Sequence, residues 1–267
     1  MNGGVIPLGG FELGLAASLL ALAGALSWRL QMGVEHRLLV AAVRAAVQLS
    51  LLGLVLQQLF HTLSPWLIAA VAGLMLAVAG YEVWSRQGRH LKGWWGYGTG
   101  MLSMLLSSVS IALSTVQVIL QPTPWFHPQY LIPLLGMLLG NTMTGIAVAM
   151  DTLGRETWNR QGEIEARLML GEHAIEAIGD IRRSALRAGL IPILNSMAAA
   201  GVVSLPGMMT GQILAGGNPL QAARYQILIL ILFLIAAGTA LGTASAVLIA
   251  SHRLFDKRER LRLDRLN

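Results

Sequence analysis

A small set of uncharged polar residues and methionines interrupts otherwise apolar sequence, and these residues define the chemistry open to the chain. Gly140-Asn141-Thr142-Met143 and Asn195-Ser196-Met197 each put amide, hydroxyl and thioether groups side by side. Leu205-Pro206-Gly207-Met208-Met209-Thr210-Gly211-Gln212 adds two thioethers, a hydroxyl and an amide. Polar groups inside apolar spans are costly, and they tend to face a bundle interior or a water-filled path. One reading is a substrate pathway in which Met143, Met197, Met208 and Met209 offer soft ligands to a metal ion. The other reading is packing alone, with Ser and Asn hydrogen-bonding between helices and Met filling gaps. Further polar positions are Arg44 and Gln48, one turn apart, and the run Ser107, Ser108, Ser110, Ser114, Thr115 and Gln117.

Other chemistries lack their residues. There is no cysteine, hence no thiolate site or disulfide. The two lysines, Lys92 and Lys257, do not follow a glycine, so no phosphate-cradling Gly-Lys loop is present. No His-Glu-x-x-His or Gly-x-Ser-x-Gly pattern occurs. No residue is assigned a catalytic role, and the chain is read as a non-enzyme. Acids are rare in the apolar runs. Glu12, Glu82 and Asp151 lie at their ends, which argues against a proton- or sodium-coupled carrier.

The elements that position these residues follow from composition. The chain has 267 residues, is 55% hydrophobic and is only 12% charged. Soluble domains carry about 25% charge. Runs of about 20 apolar residues are long enough to cross a bilayer. Seven are expected: 11–28, 38–60, 66–84, 98–120, 130–150, 186–204 and 222–251. Ser64-Pro65 and Asn218-Pro219 read as helix caps, and His127-Pro128 as a poorer one. Pro206 and the glycines around it leave room for a broken helix over 205–217. The first run lacks a basic segment before it and contains Glu12, so it reads as a retained span rather than a signal peptide.

Of 19 basic residues, all but Arg44 and Arg224 fall on alternate connections, at 29–37, 85–97, 151–187 and 252–267. The positive-inside rule then puts the N-terminus outside and the C-terminus in the cytoplasm. It also accounts for a net charge of +6 without nucleic acid. Arg44 sits near the cytoplasmic end of its span, where its long side chain can snorkel. The expected fold is all-α, one transmembrane domain over 1–267, with a cytoplasmic loop at 151–187 and a basic tail at 252–267. That tail interleaves Arg with Leu254, Phe255, Leu261 and Leu263 and reads as a surface helix on anionic lipid. Five glycine pairs at i, i+4 occur, close to chance for 30 glycines, and define no dimerisation face.

The loop carries the sharpest pattern. Ile164, Leu168, Ile175, Ile178 and Ile181 recur at roughly helical spacing, with acids early and bases late. Glu165-Ala166-Arg167-Leu168-Met169-Leu170-Gly171, with Ile181 ten residues beyond the glycine, resembles the Glu-Ala-Ala loop of ATP-binding-cassette permeases. In that loop a helix–Gly–helix element docks into the ATPase, and the glycine permits the turn. Glu165, Ala166, Gly171 and Ile181 match; Arg167 replaces the second alanine, and Arg183-Ser184 stands where Leu-Pro is usual.

Longer segments extend the resemblance. Arg44-Ala-Ala-Val-Gln-Leu49, Leu131 to Met143, Ile191 to Met197 and Leu205 to Gly216 resemble signature segments of the FetB-type (UPF0014) permease family. This family comprises bacterial permeases of the iron-exporter type and plant relatives linked to aluminium tolerance. The resemblance covers about 38–250. It implies a homodimeric permease of the bacterial inner membrane, with a separate FetA-like ATPase that binds the ATP, no cofactor in this chain, and iron or another metal ion as exported cargo. The cycle expected on this reading is alternating access, with the spans rearranging around Asn141 and Asn195 and with Thr142, Met143, Ser196, Met197, Met208, Met209 and Gln212 along the pathway. The rival readings are a membrane scaffold or sensor that docks a soluble partner, and a partner-free channel or secondary carrier.

Overall fold

A computed structural model describes residues 9–31, 33, 35–227 and 234–266. Among these the chain is helical, and extended pairing is confined to isolated bridges. It divides into two compact units, Met1–Ser64 with Leu214–Gly216, and Pro65–Ile213 with Gly217–Asn267.

The first unit holds α1 (Gly10–Arg29) and α2 (Glu35–Thr62). Their apolar residues point in every direction and remain largely exposed, Leu39, Val43, Val47, Leu51 and Leu54 among them. A helix that is apolar all round suits a lipid surround. At the connection, Ser27 Oγ donates to Glu35 Oε2 at 3.2 Å.

The second unit is built around α5 (Pro128–Asn159), between α3 (Pro65–Ser85), α4 (Trp94–Leu120), α8 (Gly179–Ala199) and α11 (Leu234–Arg253). Pro128 stands at the first helical position of α5, and His127 makes no side-chain cap. At 1.5 Å per residue, 32 residues span about 48 Å. That exceeds a bilayer core of about 30 Å. The helix therefore runs on to Asn159, into the segment expected to be loop. Its buried face includes Leu131, Leu135, Leu138, Ile146 and Leu153.

Small residues bring α5 and α8 into backbone contact and let α11 pack closely against them. A Cβ at Gly145 of α5 would lie 2.9 Å from the Gly189 carbonyl oxygen of α8, and one at Gly189 would lie 2.7 Å from the Gly145 carbonyl oxygen. Thr239 and Thr243 of α11 close over the pair, with Thr239 Cγ2 2.7 Å from the Gly145 position. Gly242 likewise admits Thr142 and Ser107. The Gly238–Gly242 pair thus packs α11 within the chain.

The serine run of α4 serves its own helix and its neighbour. Ser107 Oγ donates to the Ser103 carbonyl, Ser114 Oγ to Ser110 and Thr115 Oγ1 to Ile111, at 2.7, 2.8 and 2.7 Å. Ser108 Oγ donates across to Thr142 Oγ1 at 3.0 Å. Residues Leu105–Val109 and Thr115–Leu120 widen into π-helix. Side chains that bond the preceding turn favour such distortion.

Six helices among the described residues are long and apolar enough to cross a membrane: α1, Leu38–Thr62 of α2, α3, α4, α5 and α11. The run expected at 186–204 falls on α8, which is not among them. That helix starts at Gly179, so Asp180, Arg182, Arg183 and Arg187 belong to it, and it stops at Ala199. The run expected at 222–251 falls on α10 (Pro219–Gln226) and α11, and 228–233 between them lie outside the described residues. The Asn218 cap is present, its Oδ1 accepting from the Leu220 and Gln221 amides at 2.8 and 3.4 Å. The break after Pro206 is real: α9 (Gly207–Leu214) is a separate short helix.

The tail corrects the expected surface helix. It folds back as turns, with Leu254, Phe255 and Leu266 buried and Leu91 paired to Leu266. The Lys92 amide donates to the Arg265 carbonyl, and Arg265 Nη1 donates to the carbonyls of Arg253 and Phe255.

The Gly145–Gly189 contact has no room for a side chain. Gly145→Val in detergent-purified protein is expected to cost about 1–3 kcal/mol through overpacking and to lower the thermal midpoint. Gly140→Ala, on the same helix with nothing within 4 Å of its added Cβ, is expected to leave that midpoint unchanged or raised. Equal midpoints for the two variants would refute the close-contact account.

Candidate functional site

The polar positions converge on a cavity of about 510 Å3 in the second unit. Asn141 enters it from α5, and Asn195, Ser196 and Met197 from the last turns of α8. Ser204, Pro206 and Gly207 come from the turn between α8 and α9, Gln226 from the end of α10, and Ile235 from α11. The sequence breaks the backbone here. Ala200 is extended and Gly201 has φ +81, so α8 cannot continue. In membrane proteins such irregular backbone is found where it lines a cavity or is buried in protein.

Four residues picked out from the sequence therefore meet in one place: Asn141, Asn195, Ser196 and Met197. Asn141 Nδ2 donates to the Met137 carbonyl at 2.8 Å, and Ser196 Oγ to the Pro192 carbonyl at 3.0 Å. Thr142 is sealed in the contact with α4 instead. Met143, Met208, Met209 and Gln212 do not line the cavity. The four thioethers are thus not gathered as a ligand set; Met197 contributes the sulfur in this lining. Among the described residues, no three His, Cys, Asp or Glu side chains are placed to hold a metal ion.

Gln226 is the residue that sequence reasoning missed. It is 3% exposed, and neither its amide nitrogen nor its oxygen has a hydrogen-bond partner among the described residues. A signal existed: a glutamine inside an apolar run marks a costly position in a span.

The second candidate surface is the loop. Helix α6 (Gln161–Met169) ends in a turn at Gly171, whose φ of +93 suits glycine. A one-turn helix α7 (Ala174–Ala177) follows, then α8. Ile164, Ile178 and Ile181 are buried beneath this helix–turn–helix, while Ile175 is exposed. Glu165 and Ala166 face outward. At the tip, Met169 and Leu170 are 82% and 85% exposed.

Ion pairs fix the base of the loop. Arg160 donates to Glu163 and to Asp180, and Arg167 reaches the other oxygen of Asp180 at 3.3 Å. Ser184 Oγ donates to Glu156 Oε1 at 2.7 Å, joining α8 to α5. The Arg160 hydrogen bond holds the Glu163 carboxyl below its usual range. Partial burial pushes Asp180 up, but hydrogen bonds and the Arg160 and Arg167 charges outweigh this and leave it lowered. From the tail, Glu259 Oε2 accepts the Ala174 amide at 2.9 Å and holds the start of α7. That backbone bond, with His173 beside it, lowers the Glu259 carboxyl.

The sequence pattern of the uncharacterised protein family UPF0014 matches residues 10–255. The chain belongs to this family. It is 38% identical to the UPF0014 membrane protein slr1647 of Synechocystis over 256 residues, 94% of each chain. It is 37% identical to the UPF0014 membrane protein YjkA of Bacillus subtilis, over 82% of this chain and 85% of that one. The probable iron export permease protein FetB of Escherichia coli is 29% identical, over 94% of this chain and 93% of that one. No solved structure matches. The UPF0014 match spans both the cavity and the loop, so this polytopic helical membrane protein carries the two surfaces within the family's shared region.

The Arg160–Asp180 pairing has a pH signature. A lowered carboxyl contributes stability at neutral pH that is lost as pH falls through and below the usual range near 4. Hydrogen-exchange protection over 160–180 is expected to hold at neutral pH and to fall on acidification below that range. Asp180→Asn should produce the same loss of protection at pH 7. Unchanged exchange in that variant would show that the pairing does not order the loop.

Proposed function

We propose that this chain is the membrane permease subunit of an ATP-driven exporter, working with a separate ATPase subunit that binds and hydrolyses the ATP, with iron or another metal ion as cargo. The observation that carries the reading is the exposed tip of the loop. Gly171 turns the chain between two helices, the ion pairs brace their base, and Glu165, Ala166, Met169 and Leu170 face outward. Exposed large apolar side chains beside a braced turn suit a protein interface. The likeness to FetB supports export of a metal.

In this reading the permease works as a homodimer in the bacterial inner membrane, with seven spans, the N-terminus outside and the loop and tail in the cytoplasm. Nucleotide-driven closure of the ATPases pushes the tip. Helices α5 and α8 carry the push to Asn141 and Asn195, and the cavity alternates between the two sides. Transport is then a change of packing rather than a covalent step. Glu165, Ala166, Gly171 and Ile181 couple the ATPase, Ile181 from within the core of the loop.

The test is purification of the tagged chain from its native membranes in a gentle detergent. An ATPase subunit with its nucleotide-binding motifs is expected to accompany it. Gly171→Trp, which forces a bulky side chain into a positive φ, should release that ATPase and abolish export while the chain still inserts. The double change Met169→Glu, Leu170→Glu should release it as well. Recovery of the chain alone, or with a partner that has no nucleotide site, would favour a scaffold or a partner-free channel instead.

A further inference from the structure

One face of α8 joins exposed charge to exposed hydrocarbon. Arg183, Arg187, Ile191, Leu194 and Ala198 recur at three- and four-residue steps, the spacing that keeps side chains on one side of a helix. All five are exposed. Ile181, Ala185, Gly189 and Ile193 are buried on the other side. The exposed face thus starts with two guanidinium groups one turn apart and continues with apolar side chains.

Neither arginine has a hydrogen bond or ion pair among the described residues. The acids at this end of the helix are engaged elsewhere, Asp180 by Arg160 and Arg167, and Glu156 by Ser184. Other exposed arginines differ: Arg86 pairs with Glu82 and Arg155 with Asp151. The two cations of α8 therefore lack a counter-charge from the described protein.

The face does not suit a second copy of α8. Two copies inserted the same way round are related by a two-fold axis along the membrane normal, so equal depths meet. Arg183 and Arg187 would then face their own counterparts, and like charges repel. A soluble protein meets the arginines and leaves the apolar stretch uncovered. An anionic phospholipid fits both parts. The planar fork of arginine matches a phosphate. Arg187 and Ala198 are eleven residues apart, about 16 Å along the helix. One leaflet is about 15 Å deep, half of a bilayer core of about 30 Å.

We infer that this face of α8 is a binding site for an anionic phospholipid, with the lipid phosphate between Arg183 and Arg187 and an acyl chain laid along Ile191, Leu194 and Ala198. The inference rests on α8 crossing the bilayer, as in the seven-span arrangement proposed above, and on neither ATP nor the cargo. The lipid supplies the missing counter-charge, and it sits on the helix that leads from the loop to the cavity.

The test titrates phosphatidylglycerol into the delipidated full-length chain in detergent and counts bound lipid by native mass spectrometry. The wild-type chain is expected to retain phosphatidylglycerol in preference to phosphatidylcholine. Arg183→Gln and Arg187→Gln should each weaken that binding about fivefold, and together about thirtyfold, the scale of one arginine near an anionic headgroup in each case. Without lipid, the double variant should keep the wild-type thermal midpoint, because neither side chain has a bonded partner to lose. Arg86→Gln with Arg155→Gln removes the same charge from other exposed positions and should leave the affinity unchanged. Inorganic phosphate at matched concentration should not displace the lipid.

Equal losses in the two double variants would make the attraction diffuse and overturn the site. Equal retention of phosphatidylcholine by the wild-type chain would do the same. Displacement by phosphate would make the site one for a free anion. Release of the ATPase by the α8 double variant, with lipid binding intact, would assign the face to a protein partner. A chain that brings its ATPase but shows no preference for phosphatidylglycerol defeats this inference alone. A chain that binds the lipid through these arginines but arrives without an ATPase defeats the ATP-driven reading alone.

Discussion

The backbone contact between Gly145 of α5 and Gly189 of α8 sets the geometry of the whole second unit. Each glycine occupies the space that a Cβ on the other would need, and α11 closes the seam with Thr239 and Thr243. Lipid gives apolar helices little reason to prefer one another, so close packing of small residues must supply the attraction. Once the seam is fixed, helix geometry fixes the rest. Asn141 lies one turn from Gly145, about 6 Å along α5, and Asn195 lies about 9 Å from Gly189 along α8. Both face the cavity, on the side of the seam away from the loop. The polar cavity therefore opens where the tight contact ends and α8 gives out at Ala199.

At the other end of the same two helices, polar contacts set the register. Glu156 accepts from Ser184, and Asp180 accepts from Arg160 and Arg167. These groups are partly exposed, and exposed ion pairs add little stability. Their effect is positional. They tie the end of α5 to the start of α8, while Glu259 from the tail holds the start of α7. The loop is thereby a braced bracket with an apolar tip rather than a free helix on the membrane surface. On the proposed permease reading, a force on Met169 and Leu170 would reach α5 and α8 together, since both helices have an end in this bracket.

Much of this was legible in the sequence, where the signal is local. The Asn218 cap, the Pro128 start, the break at Pro206 and the turn at Gly171 each depend on a few neighbouring residues, and each is present. The convergence of Asn141 and Asn195 was also readable, because amides in apolar runs seek a common interior. The failures share a cause: they depend on partners distant in sequence. Gly145 and Gly189 belong to no i, i+4 pair and signify nothing until two helices meet. The tail reads as amphipathic, but Leu254, Phe255 and Leu266 are buried against the chain itself, Leu266 beside Leu91. Thr142, Met143, Met208 and Met209 share motifs with cavity residues, yet helical periodicity turns consecutive side chains to different faces. Gln226 stands apart from every motif and is recognised by what surrounds it.

The seam also bears on how the bundle could change shape. In α4, Ser107 and Thr115 hydroxyls donate to the carbonyl one turn back. Thr239 and Thr243 do not, and their buried hydroxyls have no partner among the described residues; nor does that of Ser103. An unbonded buried polar group costs about 1–3 kcal/mol. The packing shown is thus short of its best on the α11 side of the seam, while the steric fit of the glycines is tight. A shift of α11 that let these hydroxyls find partners would recover that energy and offset poorer packing elsewhere. Packed interfaces move between discrete arrangements rather than deforming smoothly. A seam close in steric fit but incomplete in hydrogen bonding is therefore suited to hold two packings of similar energy, which alternating access requires of the helices around the cavity.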